Sequence, residues 1–217
     1  MFDYTLVITS CNRHDLLYTT LGSFIQYADV PPKVIIIVED GLVEPPDWIN
    51  SEERFRVLPK IWLPNRPKLG QVPSIDKAYS GVHTEYIFHC EDDWEFLATG
   101  FLEESYKILE KYPTVAQVSL WDRYIPAIED SRFSCKISQP RYQEVWGGLT
   151  WNPGLRRLSD YKKIFGTFSQ YLPEIPPNLD FAAGREAFFS VMMMDRGYVV
   201  ASLDNFVKHT GTMTHAQ

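Results

Sequence analysis

Two short apolar runs, residues 4–9 (YTLVIT) and 34–38 (VIIIV), restrict the fold more than any other feature of this 217-residue chain. Neither alternates polar with apolar positions, so neither suits a sheet with one face in water. Both read as strands buried on two faces. Between them, residues 15–28 (DLLYTTLGSFIQYA) carry apolar positions at helical spacing, and Pro31-Pro32 stops the helix. Strand, helix and strand in that order form a β-α-β unit, which implies parallel pairing and a right-handed crossover.

The rest of the chain continues the pattern. A third strand is expected within 55–63 (FRVLPKIWL), where Pro59 works against it. Residues 64–70 (PNRPKLG) read as a loop, and Pro73 fits the first turn of a helix running to about Gly81. A strand at 86–90, a helix at about 99–112 and a strand at 115–121 (VAQVSLW) follow. From Asp122 to Pro140 there is no clean periodicity, which predicts a long loop with one hairpin. A helix over 159–166, a helix over 185–196 closed by Gly197, and a strand over 198–203 (YVVASL) complete the reading. Met192-Met193-Met194 belongs to core packing of that last helix. The expected class is α/β, a single Rossmann-like domain over 1–217 with a mostly parallel central sheet flanked by helices.

Composition narrows the function by exclusion. The formal charge is −7, and no Lys/Arg cluster exceeds Arg156-Arg157, which argues against nucleic acid as partner. No apolar run approaches the ~20 residues of a membrane helix, and the first residues lack the basic start of a secretory signal, so the cytoplasm is expected. Cysteines 11, 90 and 135 are odd in number with no C-x-x-C spacing, which fits reduced thiols and disfavours a zinc site. Aromatics make up 14% of the chain, serving a ring-binding surface or an aromatic core.

The chemistry concentrates in residues 86–96 (YIFHCEDDWEF), where a strand runs directly into Glu91-Asp92-Asp93. Ligands of open α/β sheets collect at the carboxyl ends of strands. Three adjacent carboxylates repel one another, and a divalent cation offsets that repulsion. Hard oxygen ligands favour Mg²⁺ or Mn²⁺, which also bind substrate phosphates. A metal clamped on a diphosphate stabilises the charge that develops as the diphosphate leaves. The competing use of Asp92 and Asp93 is to cap the turn and helix beyond them.

Taken in order, Asn12-Arg13 after the first strand, Glu39-Asp40-Gly41 after the second, Gly70 before a helix, and Glu91-Asp92-Asp93 after a later strand form a pattern. It resembles the GT-A-fold glycosyltransferases, particularly the large family 2 of inverting enzymes. The triplet itself is similar to that of the N-acetylglucosaminyltransferase I type, where E-D-D replaces D-x-D. The resemblance covers most of 4–121 and resumes at 184–210. It implies that Thr9, Asn12 and Arg13 border the donor nucleotide, with Arg13 on the base or a phosphate. Glu39 or Asp40 would accept a hydrogen bond from the base, a match that favours uracil. In the family's next motif this chain offers Asn65, Gly70 and Ser74-Ile75-Asp76-Lys77-Ala78. The family's arginine is missing there, and Asp76 stands for asparagine, leaving Lys77 or Lys68 to compensate. Asp93 falls where the direct metal ligand lies, with Glu91 and Asp92 facing the ribose or metal-bound water.

In the second half, family members carry an acidic pair on a helix, eleven positions before a Gly-Tyr. Here Glu186 stands eleven positions before Gly197-Tyr198, with Arg185 in place of the first acid. The resemblance assigns Glu186 as general base, with Asp180 in reserve; a carboxylate near a helix start is also favoured by the dipole alone. His209 ends the last strand, where relatives place a histidine on the metal or diphosphate. Trp121, Trp146 and Trp151 are candidates for an acceptor platform, and each equally fits a core. The implied function is metal-dependent transfer of a sugar from a nucleoside diphosphate-sugar, a UDP-sugar by preference, to an acceptor hydroxyl with inversion. The nucleotide half spans about 1–121 and the acceptor half about 122–217. The alternatives are a non-catalytic carbohydrate- or nucleotide-binding module and a sugar nucleotidyltransferase; the latter requires a Gly-rich basic loop where this chain has Thr-Ser-Cys-Asn-Arg-His.

Overall fold

The structure, a computed structural model, describes residues 2–41, 44–121, 127–130, 135–138 and 148–211. Its first half is built from β1 (Tyr4–Ser10), α1 (His14–Tyr27), β2 (Val34–Glu39), two single-turn helices α2 (Trp48–Ser51) and α3 (Glu53–Arg56), β3 (Lys60–Pro64), α4 (Gln71–Ser80), β4 (Tyr86–Glu91), β5 (Trp94–Phe96) and α5 (Phe101–Lys111). Then come β6 (Val115–Ser119), β7 (Ala127–Asp130), β8 (Cys135–Ser138), β9 (Gly154–Arg157), α6 (Leu158–Ile164), α7 (Ala182–Asp195), β10 (Val199–Ser202) and β11 (Val207–His209).

One sheet runs β3-β2-β1-β4-β9-β6-β10-β8-β7, and β11 pairs with β5 in a separate ribbon. The β3-β2-β1-β4 block is parallel throughout, with Ile8 opposite both Ile37 and Cys90. Every residue of β1 is buried, as its unalternating sequence requires. One face of the sheet meets α1 and α5 through Leu6, Ile8, Phe24, Phe88 and Phe101. The other meets α4, α6 and α7 through Val7, Ile36, Ile75, Tyr79, Tyr161 and Phe189. Met193 is fully buried in that second layer, the packing role expected of the methionine run. Much of the aromatic content is likewise core: Phe24 meets Phe88, Phe96 and Phe101 on one face, and Phe168 meets Trp151, Tyr161 and Phe189 on the other.

Two differences from the sequence reading matter for the site. The third strand begins only after Pro59, whose carbonyl still accepts a ladder bond from Ile35. More consequential is β9 (GLRR), which lies antiparallel between β4 and β6. The sheet is therefore parallel in its first block and mixed beyond it, and the expected hairpin in 122–140 is present as β7-β8. Residues 122–126, 131–134 and 139–147 lie outside the described residues, and so does the Trp146 candidate. Among the described residues, no helix is long and apolar enough to cross a membrane.

Candidate active site

The carboxyl ends of β1, β2 and β4 lie side by side, with Ser10 opposite Glu39 and Thr9 opposite Glu91. Their register brings the Asn12-Arg13 turn, the Glu39-Asp40 corner and the acidic triplet together, and these parts are bonded to one another. Asn12 adopts a left-handed backbone (φ 58°), and its amide donates to Glu39 Oε1 at 2.8 Å. Asp40 organises the neighbouring loop: Oδ1 accepts from Asn65 Nδ2 and the Leu69 amide, both at 2.7 Å, and Oδ2 from the Gly70 amide at 2.8 Å. Gly70 has φ +85°, the reason glycine stands there, and it opens α4.

Arg13 reaches across to the triplet. Its guanidinium donates to both oxygens of Asp92, and its Nη1 to Asp93 Oδ2 at 2.9 Å. Burial works against the Arg13 charge, and Asp92 and Asp93 more than offset it, so its pKa is raised. Asp92, fully buried, is pushed up to about 6 by burial in spite of Arg13. Glu91 is pushed up to about 8, first by burial and then by the charges of Asp93, Glu186 and Asp92, against a 2.8 Å bond from Gln71 Nε2.

The β5-β11 ribbon brings in the histidine. Pairing of His209 with Trp94, and a bond from the Thr210 amide to the Asp93 carbonyl at 2.8 Å, set His209 Nε2 3.3 Å from Asp93 Oδ2. Gly211 permits this approach, since a Cβ there would stand 2.5 Å from Asp93 Oδ2. Asp93 Oδ1 is buried with no hydrogen-bond partner. A hard carboxylate oxygen without a donor, beside an imidazole, fits a divalent cation of the Mg²⁺ or Mn²⁺ kind. Among the described residues no three His, Cys, Asp or Glu side chains form a closed cage, so such an ion would be completed by a ligand from outside the chain.

Glu186, in the second turn of α7, is near enough for its charge to raise the Glu91 pKa. Its Oε1 accepts from Thr150 Oγ1 at 2.9 Å and from the Trp151 amide at 2.6 Å. Asp180 precedes α7 on an exposed turn, paired with Arg185 at 2.7 Å. Trp94 meets Trp121 edge-on, and Trp94 also meets the His209 ring.

Three sequence expectations need correction. Asp76 does not join the cluster: its carboxylate accepts from Tyr161 Oη (2.6 Å) and from the amides of Phe168 (3.0 Å) and Ser169 (2.7 Å), tying α4 to the 168–169 turn. Lys77 is also taken, donating to the Pro64 carbonyl and Asn65 Oδ1, both at 2.8 Å. Trp151 is 1% exposed between His89, Phe168 and Phe189, and offers no face to a ligand. The sequence reading also missed Gln71, Thr150 and Arg156. Arg156 of β9 is fully buried, donates to the Thr150 carbonyl at 3.0 Å, and is electrostatically coupled to Glu186. The Arg156-Arg157 pair was visible as a charge run, but only an unrecognised strand turns one of its members inward.

No protein-family model and no curated protein sequence matches the chain. Solved structures do match in fold. Staphylococcus aureus TarS aligns over 96% of this chain at 12% identity (TM-score 0.62), and its 1–349 fragment over 96% at 13% (TM-score 0.59). The mannosyltransferase PcManGT from Pyrobaculum calidifontis, solved with GDP-Man and Mn²⁺, aligns over 94% at 14% (TM-score 0.61). The chain spans 37%, 60% and 57% of those three chains respectively. At such identities the likeness is one of fold, an α/β domain of GT-A type with a central sheet flanked by helices.

Proposed function

We propose that the chain is a metal-dependent glycosyltransferase that moves a sugar from a nucleoside diphosphate-sugar to an acceptor hydroxyl. One observation carries the reading: Asp93, with a buried carboxylate oxygen that lacks a donor, meets His209 at the end of a GT-A-type sheet. The Mn²⁺ and GDP-Man of the mannosyltransferase neighbour support the class of cofactor and donor. The order of the motifs supports a family 2-like, inverting enzyme with an E-D-D triplet, and the acidic corner after β2 supports uracil as the base.

Asp93 and His209 would hold the cation, which supplies charge stabilisation to a departing diphosphate. Thr9, Asn12 and Arg13 border the nucleotide, with Glu39 behind the Asn12 turn. Asp40 and Gly70 shape the loop over it. Glu91 and Asp92 face the ribose side. Glu186 takes the acceptor proton, held in place by Thr150 and the Trp151 amide. Asp180 is more exposed and paired with Arg185, which leaves Glu186 the better base. Trp121, packed against Trp94, is the remaining described candidate for an acceptor contact.

Isothermal titration of UDP, GDP, CDP and TDP, each with and without Mn²⁺, tests this. Tight binding of one nucleotide that requires Mn²⁺ is the expected result. Absence of binding for all of them, in both conditions, would remove the transferase reading and favour a carbohydrate-binding module.

A further inference from the structure

The acidic corner contains a cation of its own, and it sits where the metal would act. Arg13 Nη1 lies 2.9 Å from Asp93 Oδ2, the oxygen that His209 Nε2 approaches at 3.3 Å. The rest of the same guanidinium spans both oxygens of Asp92. Asp92 is 0% exposed and the Asp93 side chain 9%, so two adjacent carboxylates are withdrawn from water here. Such a pair is tolerable only while a cation compensates it. A divalent ion takes a carboxylate oxygen at about 2.0–2.1 Å. A guanidinium held on that oxygen would then stand against a double positive charge within a few ångströms, and the two repel.

We propose that Arg13 and the divalent cation are alternative occupants of the acidic corner, and that a nucleoside diphosphate draws the guanidinium away as the cation arrives. Metal and diphosphate then bind as a coupled pair. This rests on the metal-site reading above and adds an order to it.

The geometry provides for the exchange. The Arg13 side chain is 30% exposed, so it has a route outward. It follows Asn12 in its left-handed turn and precedes α1, whose start has no side-chain cap to fix it. A planar guanidinium that now grips carboxylates grips phosphate oxygens with the same fork. Lys77, in the motif that carries the family's arginine, is bonded to Pro64 and Asn65. That commitment takes Lys77 away from the diphosphate, whereas Arg13 already stands at the corner where the diphosphate's cation would bind. The two-ligand character of Asp93 and His209 agrees, since the ion needs diphosphate oxygens to complete its shell. By linkage, whatever factor the diphosphate contributes to metal affinity, the metal contributes to diphosphate affinity.

The test titrates Mn²⁺ alone, then Mn²⁺ with saturating UDP and, in parallel, GDP, into wild type, Arg13→Met and Arg13→Lys, following free Mn²⁺ by electron paramagnetic resonance. Wild type should bind Mn²⁺ weakly alone and at least tenfold more tightly with the diphosphate. Arg13→Met should bind Mn²⁺ alone at least tenfold more tightly than wild type, and lose most of the diphosphate's enhancement. Arg13→Lys keeps the competing charge and should stay near wild type for Mn²⁺ alone. Mn²⁺ affinity of Arg13→Met equal to or weaker than wild type overturns the exchange while leaving the metal site standing. No Mn²⁺ binding by any form, with or without diphosphate, overturns the metal reading itself. If Arg13→Met is unfolded without metal, its unfolding midpoint should rise more steeply with Mn²⁺ than that of wild type. A midpoint indifferent to Mn²⁺ counts against the proposal.

Discussion

On one side of Glu91, carboxylates are crowded at strand ends around a single half-exposed arginine; on the other, Arg156 and His89 are buried under α4 and α7 with Glu186 as the nearby acid. The first region has excess negative charge and an outward-facing counter-ion. The second has its cation sealed in the interior, where Arg156 reaches Glu186 through Thr150: the guanidinium donates to the Thr150 carbonyl, and the Thr150 hydroxyl to Glu186. A corner whose charge is met by a displaceable side chain suits exchange of ions and ligands. A carboxylate held by a hydroxyl and an amide, with a fixed cation behind, suits one group kept in one place.

Breaking each region separately gives the largest effects. Asp93→Asn removes the carboxylate charge from the proposed metal ligand, and Mn²⁺-dependent nucleotide binding should fall at least a hundredfold in the titration described above. Glu186→Gln keeps an oxygen for Thr150 and the Trp151 amide and loses only the proton acceptor. Turnover should drop by about 10²–10⁴-fold, with nucleotide affinity within about twofold of wild type. Loss of nucleotide affinity in Glu186→Gln would place that residue in the wrong region.

A second pair sharpens the contrast through two aspartates doing the same mechanical work. Asp40 gathers the 65–70 loop through three donors, and Asp76 gathers α6 and the 168–169 turn through three, Tyr161 Oη and the Phe168 and Ser169 amides. Truncation orphans those donors in each case, and Asp40→Ala and Asp76→Ala should each cost roughly 3 kcal/mol by denaturant unfolding. Only Asp40→Ala should also weaken nucleotide binding, because only its loop borders the acidic corner. Nucleotide affinity lost equally in both variants would mean that Asp76 acts at the donor site after all.

The unequal legibility of the two regions has a physical origin. The first is made of strand ends in a parallel block, and unalternating runs such as VIIIV announce both the strand and the buried faces on either side. Asn12, Glu39, Asp40 and Glu91 are then neighbours by topology alone. Its one distant member, His209, depends on the β5-β11 ribbon, three residues on each side, which no periodicity could signal. The second region depends on β9, four residues long and half arginine, a composition that reads as a charged surface turn. Once β9 is inserted, Arg156 faces Gln117 and Ile87 inside the sheet, and Trp151 becomes core. Asp76 was misread for a related reason: its helix was legible, but its partners lie about ninety residues away.

The smallest effect is a stability difference with opposite signs in the two regions. His89 is fully buried on β4 between Tyr79 and Trp151, with no hydrogen-bond partner on either ring nitrogen. Burial, and then the Arg156 charge, hold its pKa well below the ordinary range. In the unfolded chain it titrates near 6.5. As pH falls below that value the unfolded state takes up a proton that the folded state refuses, so stability is lost by up to about 1.4 kcal/mol per pH unit. Glu91 and Asp92, pushed up to about 8 and about 6, do the reverse: the folded state binds their protons first, and stability rises as pH falls through those values. In wild type the two trends oppose each other between pH 5 and 6.5. Replacing His89 by Leu removes one of them and leaves the acidic corner untouched. The variant's unfolding free energy, measured by urea titration against pH, should therefore change more favourably than wild type's on going from pH 6.5 to 5, by up to about 2 kcal/mol. Parallel curves for the two proteins would show that His89 accepts a proton in place, and that the buried side of Glu91 is wetter than the opposing side.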